Sequence, residues 1–409
     1  MIFEPELETM PRGRLEALQL ERLQALAGPE VHSLDDVRRL PLTRKEDLRD
    51  SYPFGRLAVP RDRLRRVHAS SGTTGKPTVV GYTRGDLDVF AGVVARCLAA
   101  AGAEPGMTLH NAYGYGLFTG GLGFHDGGER LGLLVVPVSG GLTERQLLLI
   151  SDLRPDVLAC TPSYALTLAQ AFAERGVGPD EISLRIAMLG AEPWSEAMRR
   201  EIDAGLGVRA VNVYGLSEIV GPGVAGECAE ERAGLHVHED HFLPEIVDPD
   251  SGEPVPEGEE GVLVLTTLTK EALPLVRYWT GDVTSLDRSP CSCGRTLVRM
   301  APPAGRADDM LIVRGVNLYP SQVEAILVAL PELSPHYRLV VERPGTMDEA
   351  RVEIEVASGV APAPELRERA ERLLTETIGC TIAVELRAPG ELPRSEGGKL
   401  QRVEDRRGS

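Results

Sequence analysis

The stretch that decides the fold is residues 184–218, LRIAMLGAEPWSEAMRREIDAGLGVRAVNVYGLSE. It begins with the apolar run 184–189, continues with the helical pattern 195–205, and ends with a second apolar run at 209–215. Ser195 stands directly before the helical pattern, where a hydroxyl can accept a hydrogen bond from the first turn. Short apolar strands that alternate with a helix are typical of a parallel sheet covered on both faces.

The same alternation extends over residues 66–220. Strands are predicted at 66–70, 131–139 and 156–162, and helices at 86–101, 142–153 and 164–176. A mostly parallel α/β sheet binds its ligands at the carboxyl ends of its strands. The loops that follow Ser70, Leu189 and Val213 are therefore the expected places for a site.

The rest of the chain has two other patterns. Short strands and turns at 235–300 predict an antiparallel β module, and residues after 306 predict a small α+β unit. The predicted fold class is thus α/β: a large N-terminal domain with an added β module, followed by a small mobile C-terminal α+β domain. We place these domains at 1–305 and 306–409.

Composition and charge limit the class of function. The 409 residues carry 44 Lys and Arg against 61 Asp and Glu, a net charge of -17, which argues against a dedicated nucleic-acid binder. No apolar run reaches the roughly 18 residues of a membrane span. The first residues, MIFEPELETM, lack the basic-then-apolar pattern of a secretion signal, so we expect a cytoplasmic protein with reduced cysteines and no membrane partner.

The sharpest motif is SSGTTGKPT at residues 70–78. Glycines let backbone N–H groups converge on an anion, and hydroxyls add donors. It is not a Walker A loop, because two residues instead of four separate its glycines and a proline follows the lysine. The alternative is an ordinary surface turn. The predicted phosphate-binding residues are Ser70, Ser71, Gly72, Thr73, Thr74, Gly75 and Lys76.

This loop resembles the signature of the acyl-adenylate-forming superfamily, and most closely that of the phenylacetate–coenzyme A ligases. Six further blocks resemble that family in its order, over about residues 40–405: NAYGYGLFTGGLGFHDGGERLG (111–132), VYGLSE (213–218), LHVHEDHFLPEIVDP (235–249), TTLTKEALPLVRYWTGD (266–282), GRADDMLIVRGVNLYPSQVE (305–324) and LPRSEGGKLQRV (392–403).

The resemblance implies an ATP-dependent ligase. Phenylacetate would be activated as an acyl adenylate with release of pyrophosphate, and then passed to coenzyme A to give phenylacetyl-CoA and AMP. ATP, Mg²⁺ and CoA are the implied cofactors and co-substrates, and a homodimer is a further expectation. Two alternatives stay open: another aryl acid, such as benzoate or a heteroaromatic acid, with CoA or a carrier-protein thiol as acceptor, and a non-catalytic acyl-nucleotide-binding protein.

The resemblance also implies roles for single residues. Lys399 would bridge the acid and the α-phosphate, and Glu218 would hold Mg²⁺; the alternatives are a solvated lysine and a surface glutamate. Asp282 would accept hydrogen bonds from the ribose hydroxyls. Asp308 and Asp309 would form the hinge of the small domain. The other implied nucleotide residues are Gly190, Ala191, Glu192, Pro193, Tyr214, Gly215, Leu216, Ser217 and Arg306.

Aromatic residues are scarce at 4% of the chain, yet three fall within six positions of 113–118. Tyr113, Tyr115 and Phe118 are therefore predicted to line an aryl pocket together with Ala191, and the resemblance favours Tyr113 and Phe118 among them. Plain core packing is the alternative.

A second site is suggested by cysteine and histidine spacing. Cys291 and Cys293 stand on a tight turn, and Cys228 and His236 lie in the β-rich region that leads to it. Three cysteines and one histidine form a set typical of structural zinc. Reduced thiols beside an ordinary histidine are the alternative.

Overall fold

The computed structural model describes residues 1–70, 77–307, 311–314, 316–344, 347–394 and 402–407, and all elements given below belong to these ranges. Short 3₁₀ turns occupy Leu34–Arg39, Arg61–Arg63 and Pro179–Glu181. The helices are α1 (Pro5–Glu8), α2 (Arg12–Ala27), α3 (Lys45–Asp50), α4 (Arg84–Ala100), α5 (Thr119–Leu131), α6 (Thr143–Leu153), α7 (Pro162–Glu174), α8 (Glu196–Leu206), α9 (Pro320–Val328) and α10 (Pro364–Ile378).

The strands of the described residues form five sheets. They are β1 (Arg66–Ala69), β2 (Val79–Tyr82), β3 (Thr108–Asn111), β4 (Leu134–Pro137), β5 (Val157–Cys160), β6 (Ile186–Gly190), β7 (Arg209–Leu216), β8 (Gly221–Glu227), β9 (Leu235–Val237), β10 (Phe242–Val247), β11 (Gly261–Thr267), β12 (Tyr278–Thr284), β13 (Leu286–Asp287), β14 (Arg299–Met300), β15 (Gly305–Arg306), β16 (Leu311–Val313), β17 (Val316–Leu318), β18 (Leu333–Glu342), β19 (Glu349–Val356), β20 (Ile382–Arg387) and β21 (Val403–Asp405).

The main sheet has nine strands in the order β13-β14-β9-β8-β7-β6-β5-β3-β4. Helices cover both faces of its parallel half. Val157 and Ala159 of β5 pack with α4 and α5, whereas Leu158 and Cys160 of the same strand pack with the side of α6, α7 and α8. Because both faces are buried, the strands need apolar residues at every position, which explains their continuous apolar runs.

The predicted strand–helix–strand unit at 184–218 is confirmed. β6 and β7 pair in parallel, and α8 lies between them in the chain. The Ser195 hydroxyl accepts a hydrogen bond from the backbone N–H of Met198 at 3.2 Å, so it is the N-cap of α8 as predicted.

The mostly parallel sheet predicted over residues 66–220 is confirmed for the main-sheet strands of that range. Strands β4, β3, β5, β6 and β7 run parallel, but β8, β9, β14 and β13 extend the sheet with antiparallel pairs. Part of the predicted β module at 235–300 thus belongs to the main sheet, and only β10, β11, β12 and β15 form a separate antiparallel sheet. Strand β1 pairs with β2 alone, so Ser70 begins the connection of a two-stranded sheet.

Elements from β16 onwards form a separate unit, here called the small domain. Its four-stranded sheet has the order β20-β19-β18-β21, and α9 and α10 pack against it with a core of their own. Helix α9 and strand β21 were not predicted. The boundary placed after residue 305 stays a prediction. No helix in the described ranges combines the length and apolar character needed to cross a membrane.

Helix α5 was also missed, because its sequence TGGLGFHDGGERL is rich in glycine, a poor helix former. Packing against α4 explains why α5 contains so many glycines. A Cβ atom at Gly123 would come within 2.5 Å of Phe90, and one at Gly127 within 2.4 Å of Val94. Both contacts are with α4, so the glycines allow the two helices to pack more closely than side chains would permit.

We expect Gly127→Ala to lower the free energy of unfolding by about 1–3 kcal/mol, the usual cost of overpacking a filled core. Gly92→Ala in the middle of α4 is the matched control, since its Cβ would meet only Arg130 at 3.9 Å. This control should stabilise the chain by up to about 1 kcal/mol through helix propensity. Urea unfolding followed by circular dichroism measures both, and equal effects would contradict the packing argument.

Candidate active site

The carboxyl ends of β6 and β7 approach each other closely. A Cβ atom at Gly190 would lie 2.2 Å from the carbonyl oxygen of Val213, so only glycine fits there. Ala191, the next residue, has a φ of 73°, in the left-handed region that ordinary residues rarely adopt. The chain therefore turns sharply at the predicted nucleotide residues Gly190 and Ala191.

Glu192 is held by the start of α7. Its Oε1 atom accepts a hydrogen bond from the backbone N–H of Ser163 at 2.7 Å and a second one from the Ser163 hydroxyl. The positive end of the helix dipole favours a carboxylate at this place. Pro193 follows directly in the chain, so the predicted loop 190–193 is fixed both to the sheet and to a helix.

Three of the predicted nucleotide residues meet at β12. The Tyr214 hydroxyl donates a hydrogen bond to Oδ2 of Asp282 at 2.5 Å, and the Arg306 guanidinium lies 3.3 Å from Oδ1. Arg306 is on β15, directly opposite Asp282 in the antiparallel pair. Burial, followed by the charge of Asp282, raises the pKa of Tyr214 well above its usual 10, so the hydroxyl stays a donor.

Glu218 is buried, with 4% of its surface exposed, just beyond the end of β7. Its Oε1 atom has no hydrogen-bond partner among the described residues. The ammonium of Lys45 lies 3.5 Å from that atom. A buried carboxylate oxygen with spare capacity fits a divalent cation such as Mg²⁺. Lys45 was not predicted as a site residue, although it lies in the LPLTRKEDLRD segment at 40–50 that begins the family resemblance.

Two residues that were not predicted as site residues, Tyr82 and Lys270, contact the turn that carries Glu218. The Tyr82 hydroxyl contacts the carbonyl oxygens of Ser217 and Val220 at 3.2 and 3.0 Å. Lys270 donates a hydrogen bond to the carbonyl oxygen of Ile219 at 2.6 Å, and its ammonium lies 3.9 Å from the centre of the Tyr82 ring. Lys270 lies within the quoted block 266–282, but neither residue was assigned a role, because their contacts join distant parts of the chain.

Gly215 and Leu216 complete this end of β7. A Cβ atom at Gly215 would lie 1.8 Å from the carbonyl oxygen of Gly221, so glycine is required at this point of the antiparallel pair β7–β8. The register of the two strands shifts between Tyr214 and Gly215, which forms a bulge. The bulge turns the chain from the predicted adenine side, at Tyr214, towards Glu218.

The three aromatic residues predicted for the acyl pocket do not share one environment. Tyr113 is buried against Phe124, with ring centres 5.2 Å apart, and burial raises the pKa of its hydroxyl well above the usual 10. Tyr115 accepts a hydrogen bond from Asn111, and Phe118 is 40% exposed at the start of α5. Tyr113 is thus the buried residue of the three, and Phe118 is the exposed one.

Several predicted residues lie outside the described ranges: Ser71, Gly72, Thr73, Thr74, Gly75 and Lys76 of the phosphate loop, Asp308 and Asp309 of the hinge, and Lys399. Ser70 is described, and its backbone N–H donates to the carbonyl oxygen of Thr78 at 3.0 Å. The two ends of the phosphate loop are therefore joined by a hydrogen bond.

The four predicted metal ligands come together. The sulfur atoms of Cys228, Cys291 and Cys293 and a ring nitrogen of His236 all lie within 4.8 Å of one another. Cys228 and Cys291 are 3.7 Å apart, and Cys293 lies 3.4 Å from Nε2 of His236. Four ligands at the bond lengths of zinc have ligand–ligand distances of about 3.8 Å, so the cluster has the dimensions of a tetrahedral zinc site.

Comparison with protein families gives two matches. Residues 31–268 match the family described as AMP-binding enzyme, and residues 315–407 match the AMP-binding enzyme C-terminal domain. Among curated proteins, a phenylacetate-coenzyme A ligase of Thermus thermophilus is 60% identical, and the alignment covers 100% of both chains. Another, from Aromatoleum evansii, is 48% identical over 98% of this chain and 96% of its own.

Solved structures give a consistent result. A 2-hydroxyisobutyryl-CoA ligase in the postadenylation state, in complex with 2-HIB-AMP, superimposes with a TM-score of 0.92 and 28% identity, covering 100% of this chain and 93% of that one. The same ligase with 2-HIB-AMP and CoA, in the thioesterification state, gives a TM-score of 0.72 at 29% identity, covering 98% and 92%. The first match confirms the predicted α/β fold class.

Burial of Lys270 leads to a prediction about pH. Burial lowers the pKa of Lys270 from 10.5 to about 8. Between these values the unfolded chain binds the proton and the folded chain releases it, so the contribution of this residue to the free energy of unfolding rises with pH. Wild type should gain stability relative to Lys270→Met as the pH rises from 8 to 10, in urea unfolding.

Two controls accompany this measurement. Tyr82→Phe retains Lys270 and the ring beneath it, and it should keep the pH dependence of wild type. Lys270→Arg retains a charge that does not titrate in this range, and it should lose that dependence. A difference between wild type and Lys270→Met that is constant over the range would contradict the prediction.

Proposed function

The chain belongs to the AMP-binding enzyme family, and from this premise we propose that it is an AMP-forming ligase that activates phenylacetate with ATP and transfers the acyl group to coenzyme A. The observation that carries the proposal is the 60% identity, over both complete chains, to a phenylacetate-coenzyme A ligase. Three further curated ligases of this name are 47–48% identical. The family resemblance predicted from the sequence motifs is confirmed.

The reaction has two steps. A carboxylate oxygen of phenylacetate attacks the α-phosphorus of ATP, the bond to the β-phosphate oxygen breaks, and pyrophosphate leaves. The thiolate of CoA then attacks the acyl carbonyl carbon, and AMP leaves as the thioester forms. No protein nucleophile is needed, because the mixed anhydride is already activated. The first step brings two anions together, so the site must offset negative charge and align the reactants.

The described residues support roles in the first step. Bound Mg²⁺ would offset charge on the phosphates, and Glu218, buried with an oxygen free of hydrogen bonds among the described residues, is the residue that would hold it. Lys399 would place a compact positive charge beside the acid and the α-phosphate. Asp282, oriented by Tyr214 and Arg306, would accept hydrogen bonds from the ribose.

We also propose where the substrate groups lie. The sharp turn at Gly190 and Ala191 exposes backbone beside the adenine and the acyl group, and Glu192 is kept in place by Ser163. Tyr113, which is buried and stacked against Phe124, would form a wall of the acyl pocket. The phosphate loop 70–76 would bind the phosphates through its backbone N–H groups and hydroxyls.

We further propose that Cys228, His236, Cys291 and Cys293 hold a structural zinc ion. The distances within the cluster support this, and so does the ligand set, because three cysteines with one histidine is a combination that holds structural zinc. A thiolate is the form that binds zinc. The ion would connect the ends of β8 and β9 to the turn between β13 and β14, where the main sheet has its antiparallel edge.

We also propose that the protein is cytoplasmic, that it forms a homodimer, and that its other partners are small molecules. The net charge of -17 argues against nucleic acid as a partner, and the location and the dimer are open to direct measurement. Cell fractionation tests the location, and light scattering of the purified chain tests the dimer.

The proposed function predicts strong CoA-dependent AMP formation from MgATP with phenylacetate, and much less with benzoate or a fatty acid. AMP formation measured by chromatography, with and without CoA, gives the result. Another preferred acid would replace the substrate and keep the reaction class. No turnover with any acid would instead favour a non-catalytic acyl-nucleotide-binding protein.

Two variants test the proposed roles in adenylation. Lys399→Ala and Glu218→Gln should each lower the rate of ATP–pyrophosphate exchange by about a hundredfold or more, the usual scale for removing one electrostatic contact to a transition state. Glu376→Gln, on the exposed face of α10, is the matched carboxylate control and should leave the rate unchanged. Exchange at the wild-type rate in Lys399→Ala would exclude its assigned role.

For the metal, we expect about one zinc ion per chain in protein purified without added metal. Cys293→Ser should lose the zinc and lower the unfolding temperature, because a site that lacks one of four ligands binds zinc more weakly. Cys380→Ser, a buried cysteine of the small domain, should retain it. Inductively coupled plasma mass spectrometry measures the metal, and wild-type protein without zinc would rule out the site.

A further inference from the structure

Helix α7 connects the predicted nucleotide loop to the small domain. At its start, Ser163 holds Glu192. Further along, the side-chain amide of Gln170 donates a hydrogen bond from Nε2 to Nε2 of His336, on β18, at 2.8 Å. Residues seven apart lie on the same face of a helix, two turns from each other. One face of α7 therefore contacts the loop at one end and the small domain at the other.

His336 is suited to this contact. It is buried, with 4% of its surface exposed, and burial followed by the charge of Arg394 lowers its pKa to about 4. The imidazole is therefore neutral near pH 7, and its Nε2 atom can accept the proton of an amide donor. The contact is a hydrogen bond between two neutral groups, with a defined donor and a defined acceptor.

The strand that carries His336 also holds the segment that follows Lys399. The backbone N–H of Leu339 on β18 donates to the carbonyl oxygen of Arg402 at 2.8 Å. Arg402 forms an ion pair with Glu324 at 2.5 Å. Its guanidinium stands over the Tyr337 ring, 5.1 Å from the ring centre. A shift of β18 would therefore move Arg402, three residues beyond the proposed catalytic lysine.

A second interaction joins the same two regions. Burial disfavours the charge of Arg402, but Glu324, Tyr337 and Glu192 together raise its pKa above the ordinary value. Glu192 belongs to the nucleotide loop that Ser163 fixes to α7. The charge of Glu192 also raises the pKa of Glu324 on α9, so the loop and the small domain are close enough for their charges to interact, and the hydrogen bond between Gln170 and His336 defines their placement.

Two structures of one related ligase show which step of the reaction matches this position of the small domain. The chain superimposes on the postadenylation state of 2-hydroxyisobutyryl-CoA ligase with a TM-score of 0.92, but on the thioesterification state of the same ligase with 0.72. Both structures cover nearly the whole chain. The contacts described here thus belong to an arrangement that resembles the postadenylation state.

We propose that Gln170 and His336 are positioning residues for adenylation: their hydrogen bond holds the small domain on α7 during the first step and is broken for thioester formation. The inference rests on the proposed function, since it assigns the two residues to one of its two steps. Neither residue belongs to the predicted nucleotide or acyl residues, so they act through the placement of the small domain.

The test separates the two steps. Gln170→Met retains the length of the side chain and removes the donor. It should slow ATP–pyrophosphate exchange with phenylacetate about fivefold, the factor that one ordinary hydrogen bond contributes to an equilibrium. Formation of thioester from supplied phenylacetyl adenylate and CoA should be unchanged or faster. Glu174→Gln, one turn further along α7 and exposed, is the control and should change neither step.

A double-mutant cycle with His336→Asn distinguishes a shared contact from separate structural effects. If the two side chains act through each other, the combined loss of exchange should be smaller than the product of the single losses. Equal slowing of both steps, or independent effects in the cycle, would overturn the proposal. Absence of all turnover in wild type would instead contradict the proposed function, so the two failures are distinguishable.

Discussion

The whole site is built on a close approach of backbone, at the carboxyl ends of β6 and β7 and the amino end of β8. Gly190 faces the carbonyl oxygen of Val213, and Gly215 faces that of Gly221, at distances that no Cβ atom could occupy. Since side chains are excluded there, the loops that leave these strands begin side by side. Glu192 and Glu218 extend from those loops, and the predicted nucleotide residues are thereby gathered at one edge of the sheet.

The negative charges of these neighbouring carboxylates must be balanced by hydrogen-bond donors or cations. Each carboxylate has its partner on a different element. Glu192 accepts hydrogen bonds at the start of α7, and Glu218 lies near Lys45 of α3. Asp282 accepts a hydrogen bond from the Tyr214 hydroxyl. A strongly acidic chain can therefore bind an acidic nucleotide, because local donors and cations matter more than net charge. The same contacts bring α3, α7 and β12 into the site, although only β12 belongs to a motif block that suggested nucleotide binding.

The large apolar core of the main sheet extends into its antiparallel half, where it includes Leu235, Leu286 and Met300. The parallel half is buried between α4 and α5 on one face and α6, α7 and α8 on the other, with two large apolar clusters. At the antiparallel edge, Cys228 and Cys291 pack in a small cluster of their own with Ala100. This cluster of one alanine and cysteines buries little apolar surface, so a metal ion there would add to its stability.

Local features and their order along the chain could be predicted from the amino-acid sequence. Apolar periodicity predicted β6, α8 and β7, the serine before α8 predicted its cap, and the order of motifs identified the family. Prediction from the sequence failed at α5, whose glycines are unfavourable for a helix in isolation and are required by packing against α4. The ion pair of Lys45 with Glu218 became visible only in the folded structure. The same is true of the hydrogen bond between Gln170 and His336, which are 166 residues apart in the chain. Such contacts leave no periodic trace in the sequence, because they depend on how complete elements pack and not on the residues next to them.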